Sequence, residues 1–152
     1  MAKIQFLNLQ VTDVTLKANT YDQGSTEEIK SGPFKINVHA GNPEEKAFGI
    51  SFQIELTNKA ENFNLKVKAI AHFMTDSDIT DDFMNSDFVL ISAPAIAFPF
   101  LRTFISNITL NSGYNPIVLP AFNFVAMAKH LKEKIAKEVL DDKKRIKKVK
   151  KI

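Results

Sequence analysis

The chain has 152 residues, a length that favours one domain able to bury roughly 70% of its unfolded surface without covalent staples. It contains no cysteine, which excludes disulfides, thiolate metal sites and a cysteine nucleophile, and suits the cytoplasm. The net charge of +3 is unevenly spread: residues 129–152 hold eleven Lys or Arg against four acids, so a mildly acidic body precedes a basic tail.

The start, MAKIQFLNLQV, has no charged head followed by an unbroken apolar run, so no signal peptide is expected. No apolar segment is read as approaching the ~20 residues needed to span a bilayer, and no membrane partner is expected. IQFLNLQVTDVTLKA alternates apolar and polar residues. Its phase slips near Phe6–Leu7 and again near Thr12–Asp13, which predicts a first strand with bulges or a bend. Residues 19–33, NTYDQGSTEEIKSGP, read as a long polar crossover. FKINVHA then puts Phe34, Ile36 and Val38 on one face. FGISFQIEL does the same with Phe48, Ile50, Phe52, Ile54 and Leu56, and FNLKVKAIAHF with Phe63, Leu65, Val67, Ala69, Ala71 and Phe73. Such alternation predicts half-buried antiparallel strands, and the short polar NKAEN between the last two predicts a hairpin.

After HFMTDSDITDD the apolar period becomes helical. Between Pro94 and Leu110, Phe98, Leu101, Ile105 and Ile108 make one stripe, while Ile96, Phe100 and Phe104 make a second. A helix apolar on two sides is buried on two sides. Pro99 is expected in its first turn, where the missing N–H costs little, and Gly113 as its stop. GYNPIVLP reads as an extended, proline-bounded linker. Asn123 is placed to cap a second helix from Phe124 to about Leu140, with Val125, Met127 or Ala128, Leu131, Ile135 and Val139 inward. Residues 141–152, DDKKRIKKVKKI, read as a basic tail, frayed or disordered, outside a single domain of residues 1–140. The fold class is α+β: a four-stranded antiparallel sheet with a long crossover after the first strand, followed by two helices on one face.

Catalytic chemistry finds little support. His39, His72 and His130 stand alone, none at zinc-ligand spacing with another ligand type. Asp76, Asp78, Thr80 and Asp87 loosely echo a calcium loop. However, Asp81 stands where that loop turns on glycine, and the last ligand is not Glu. The five glycines form no phosphate cradle, and nothing isolates two carboxylates in apolar sequence. The reading is a non-enzyme with no cofactor and no metal site. The basic tail could attract nucleic acid or an acidic partner, with salt-sensitive affinity. It lacks the interleaved aromatics that stack on bases, so a solubilising tail is the plainer reading. The two-sided helix points instead to self-association through residues 95–110. The rival is that the second helix and the crossover cover that side within one chain.

The block APAIAFPFLRTFISN…SGYNPIVLPAFNF resembles the SecB family of export chaperones. The Phe-Pro-x-x-Arg signature that opens a helix in that family is matched by Phe98, Pro99 and Arg102. Gly113, Pro116, Leu119, Pro120, Asn123 and Phe124 match its later glycine–proline stretch, with spacing about one residue shorter. The order of elements also agrees, over roughly residues 3–140. The resemblance implies a homotetramer, a dimer of dimers, with Ile96, Phe100, Leu101, Phe104, Ile105 and Ile108 at the interface. It implies an ATP-independent holdase for unfolded preproteins or other non-native polypeptides. Its apolar grooves would be lined by Phe34, Ile36, Val38, Met127 and Leu131, with Tyr21 in the crossover. It also implies the SecA motor as a partner through an acidic sheet face. Asp13 keeps that character, whereas Lys17 and Lys66 stand where family members carry acids, and the lysine-rich tail differs as well; both argue against SecA coupling. Two alternatives stay open on the same fold: a basic-tailed nucleic-acid-binding or ribosome-associated module, and a chaperone dedicated to one client such as an antitoxin.

Overall fold

The computed structural model describes residues 3–19, 35–41 and 43–150. Strands β1 (Ile4–Ala18), β2 (Lys35–Gly41), β3 (Ala47–Asn58) and β4 (Phe63–Thr75) form one antiparallel sheet in the order β1-β4-β3-β2. The expected crossover lies outside the described residues. β3 and β4 form the expected hairpin, paired from Ala47↔Met74 to Asn58↔Phe63. Asn62 closes its turn at φ 60°, a left-handed conformation that asparagine tolerates.

Both phase slips in β1 are register shifts, between Phe6 and Asn8 and between Val11 and Asp13. Each bulge absorbs one residue, so Ile4, Phe6, Leu9, Val11, Val14 and Leu16 all face the same side as their β4 partners. That inner face carries the core. The inward residues of β3 and β4 are all buried, whereas those of β1 are only half-buried.

The helical layer covers this face. It comprises α1 (Asp81–Met84), a π-helical turn at Phe88–Ser92, α2 (Ala93–Asn111) and α3 (Phe124–Val149). Thr80 caps α1, its hydroxyl accepting from the Phe83 N–H at 3.1 Å. Pro94, not Pro99, occupies the first turn of α2, and Pro99 lies inside the helix. The π turn feeds straight into α2 and starts it earlier than the proline pattern suggested. Pro99 and Ala95, whose carbonyl loses its usual N–H donor, both sit on the exposed side. Contrary to the sequence reading, the stretch Asp81–Asn111 is long and apolar enough, by length and composition, to cross a bilayer; 44% of its apolar window is buried within the protein. Gly113 ends α2 at φ 91°, where a Cβ would be strained. Asn123 caps α3, its side-chain oxygen accepting from the Ala126 N–H at 3.1 Å. The helix then runs past Leu140 to Val149, where a frayed or disordered tail was expected. Lysine and arginine are good helix formers, and Lys147 and Lys148 in the last turn complement the helix dipole.

Candidate functional site

The linker between α2 and α3 is held as an extended strip against α2. Ile117 is gripped at both backbone groups: its N–H donates to the Thr109 hydroxyl at 3.0 Å, and its carbonyl accepts from the Ser106 hydroxyl at 2.6 Å. Asn115 is tied to the Glu61 carboxylate in the β3–β4 turn. In an extended strip successive side chains alternate, so Leu119 is buried while Val118 is 72% exposed. Between this strip and the end of β3 lies a groove of about 270 Å³, lined by Leu56, Thr57, Asn58, Lys59, Ile117, Val118, Leu119 and Pro120. The linker leads into an aromatic cluster. Phe98 meets Phe122 edge-on at 5.0 Å and Phe124 at 5.5 Å, and lies 6.5 Å from Phe52 on the sheet.

The residues expected to line a client groove divide. Val38 is buried opposite Phe52, and Ile36 is half-buried opposite Ile54. Met127 is half-buried one turn into α3. β2 and α3 thus reach the same cluster, through the Val38–Phe52 pair and through Phe124. Tyr21, Phe34 and the Leu131 side chain lie outside what the structure describes. Val125, expected inward, is 62% exposed, because Phe124 and Ala128 one turn apart take the buried positions. Val118 and Val125, both strongly exposed, were not singled out as site residues. The alternation within the proline-bounded IVLP was the available signal for Val118.

A second apolar surface lies at the β1 edge. β1 is a 15-residue edge strand with a half-covered inner face. Phe100 on α2 packs at a tilt against Phe6 at 4.8 Å, and Phe6 against Phe73 at 5.3 Å. Ile96 and Phe100 are 43% and 53% exposed, and Phe104 and Ile108 are half-buried. Leu101 and Ile105, also expected at an interface, are fully buried against their own sheet and offer no surface. The first helical stripe is therefore intramolecular core, and the open surface belongs to the second.

The sheet's outer face is polar. Lys66 lies between Glu55 and Thr15, Lys68 between Gln53 and Asp13, and Lys17 opposite Asn64. With Lys35 opposite Glu55, cations outnumber acids on this face. His72 shares a 3.0 Å hydrogen bond with Gln10, and His39 is exposed. In the acidic loop, Asp76 accepts from the Lys3 backbone N–H at 2.8 Å, which holds its carboxyl below the usual carboxylate range. Asp87 pairs with Lys132 at 2.8 Å. Among the described residues no group of three or more His, Cys, Asp or Glu is placed to hold a metal ion.

Residues 2–134 match the family profile described as SecB, preprotein translocase subunit SecB. The chain is 30% identical over 88 residues to a protein-export protein SecB from Dinoroseobacter shibae, covering 55% of this chain and 50% of that protein. It is 26% identical over 129 residues to the corresponding protein of Ehrlichia chaffeensis, covering 80% of this chain and 67% of that one. It thus spans between half and two thirds of these relatives' lengths. Its fold is similar to that of a Mycobacterium tuberculosis SecB-like chaperone solved with an antitoxin peptide, with a TM-score of 0.58 at 14% identity, over 79% of this chain and 90% of that one. With the profile matched over most of its length, and the sheet and helices in the expected order, the chain belongs to the SecB family.

Proposed function

We propose that this protein is an ATP-independent holdase that assembles as a homotetramer and keeps non-native polypeptides, including export-competent preproteins, from aggregating. Family membership supports the general role. The observation that carries the finer reading is the division of open apolar surface into two separate places. The β1 edge with Ile96 and Phe100 suits a second copy, because a long edge strand and a half-covered sheet both need a partner. The linker groove, with Val118 exposed at its wall and Val125 exposed on the helix that follows, is left for clients. Holding needs no nucleotide: each 100 Å² of apolar client surface covered contributes about 2.5 kcal/mol, and retarded folding follows by mass action.

The test is aggregation of a chemically denatured client after dilution, without ATP. Near-stoichiometric tetramer suppresses aggregation if the reading holds. Absence of suppression together with a monomeric mass by light scattering overturns it. Deleting residues 141–152 leaves client holding largely intact, whereas a nucleic-acid module would lose its affinity and salt dependence.

A dedicated client is the second reading, favoured by the outer sheet face, where Lys17, Lys35, Lys66 and Lys68 outnumber Asp13 and Glu55. An acidic docking surface for the SecA motor is not built there. Calorimetric titration with purified SecA that yields no heat supports the dedicated role; micromolar binding through that face overturns it.

A further inference from the structure

The distal part of α3 is not explained by client holding. From Leu140 to Lys150 every residue is exposed. Residues 143–150 contain Lys143, Lys144, Arg145, Lys147, Lys148 and Lys150, with no acid among them. The remaining two are Ile146 and Val149, 56% and 72% exposed. A helix turns about 100° per residue, so Ile146 and Val149 lie about 60° apart on one side. On that wheel Arg145 falls about 40° beyond Val149, and Lys150 and Lys143 fall about 40° and 60° beyond Ile146. A narrow apolar strip is therefore bordered by cations on both flanks.

Charge alone would serve any polyanion. The apolar strip selects among them. A bare aliphatic pair contributes nothing to phosphate contacts along a nucleic acid, and no aromatic follows Phe124 to stack on bases. At a bilayer surface both components act together. The aliphatic pair enters the headgroup boundary, and the flanking Lys and Arg side chains extend to anionic headgroups. We propose that residues 143–150, which follow Asp141 and Asp142, are a reversible anchor that lies on bilayer surfaces rich in anionic lipid. The anchor is surface-bound, not spanning, and places the chaperone body beside the membrane.

The test uses the full chain at low salt with three probes: phosphatidylcholine vesicles, the same vesicles containing phosphatidylglycerol, and duplex DNA. The protein is expected to co-float with the anionic vesicles alone, and to be released as salt rises. Lys143→Gln, Lys147→Gln and Lys150→Gln together should weaken vesicle binding on the order of a hundredfold, about fivefold per cation. Ile146→Ser with Val149→Ser keeps the charge and should still weaken it by roughly tenfold or more. Circular dichroism checks that the helix persists in both variants. No flotation with anionic vesicles at low salt overturns the proposal. So does unchanged vesicle binding by the serine variant with DNA bound as tightly as vesicles, which would mark a plain polyanion site. Client holding is measured in the same preparations without lipid, so failure of the anchor and failure of the holdase are read separately.

Discussion

Thr109 is fully buried, and its hydroxyl does two things. It donates back to the Ile105 carbonyl at 2.8 Å, and it accepts the Ile117 N–H that pins the linker. Thr109→Val preserves shape but leaves that N–H without its acceptor. The expected destabilisation is about 1–3 kcal/mol by denaturant titration, with faster amide exchange at Ile117. Thr109→Ser keeps the hydroxyl and should retain the slow exchange. Asp76 offers a pH-dependent counterpart. The Lys3 N–H bond lowers its folded-state pKa below 3.8, so the ionised form favours the folded state. Its contribution is complete above the unfolded value and is lost as pH falls through the lower folded value. Asp76→Asn should therefore reduce stability near neutral pH, and the difference from the parent should close as pH drops below 3.8. A gap that stays constant across that range would rule out the charged bond as its source.

At the scale of elements, β1 keeps its apolar face inward only because two bulges absorb residues. Val11 pairs with Ala69 and Asp13 with Lys68, leaving Thr12 outside the count. Deleting Thr12 should regularise the ladder and cost little beyond its 3.2 Å bond to the Lys68 carbonyl. Deleting Gln10 has no such escape. Either Leu9, Phe6 and Ile4 turn outward, or Val11 does when the bulge is squeezed out. The expected loss is roughly 1–3 kcal/mol, read as a lower denaturation midpoint for the Gln10 deletion than for the Thr12 deletion. The same strand illustrates what was legible. Period-two patterning predicted every strand of the sheet, and its slips marked the bulges, because register follows directly from which residues must be inward. The helices were less legible. Both stripes of α2 are apolar, so pattern alone could not say that Leu101 and Ile105 face the protomer's own sheet while Ile96 and Phe100 remain open. Pro99 was misplaced because the π turn that extends the helix toward its N-terminus has no sequence signature of its own. Val125 was misassigned because an amphipathic pattern allows neighbouring phases, and docking of Phe124 and Ala128 decides between them. The linker groove was least legible, since it depends on the grip of the Ser106 and Thr109 hydroxyls on the Ile117 backbone, which no apolar pattern marks.

At the scale of the whole molecule, the β1 edge calls for a cover. A specific interface buries about 800 Å² per partner, more than isolated exposed side chains supply. The edge combines a 15-residue strand that pairs on one side only among the described residues, six half-buried inward residues, and the exposed Ile96 and Phe100 of α2. If a second copy covers it, Ile96→Asp with Phe100→Asp places two charges in the contact and should split the assembly. Native mass would fall from tetramer towards smaller species while the far-ultraviolet dichroism stays close to the parent's, because both side chains are exposed in the protomer. Leu101→Asp is the contrasting variant. It buries a charge in the protomer's own core and should unfold the chain, not merely dissociate it. If the chain's own crossover covers the edge instead, the parent is already monomeric and the double variant leaves its mass unchanged. The order of loss then bears on function. A double variant that dissociates yet still holds clients at equal protomer concentration places the gripping surface wholly on the linker side. One that loses holding in step with mass shows that the groove is completed across protomers.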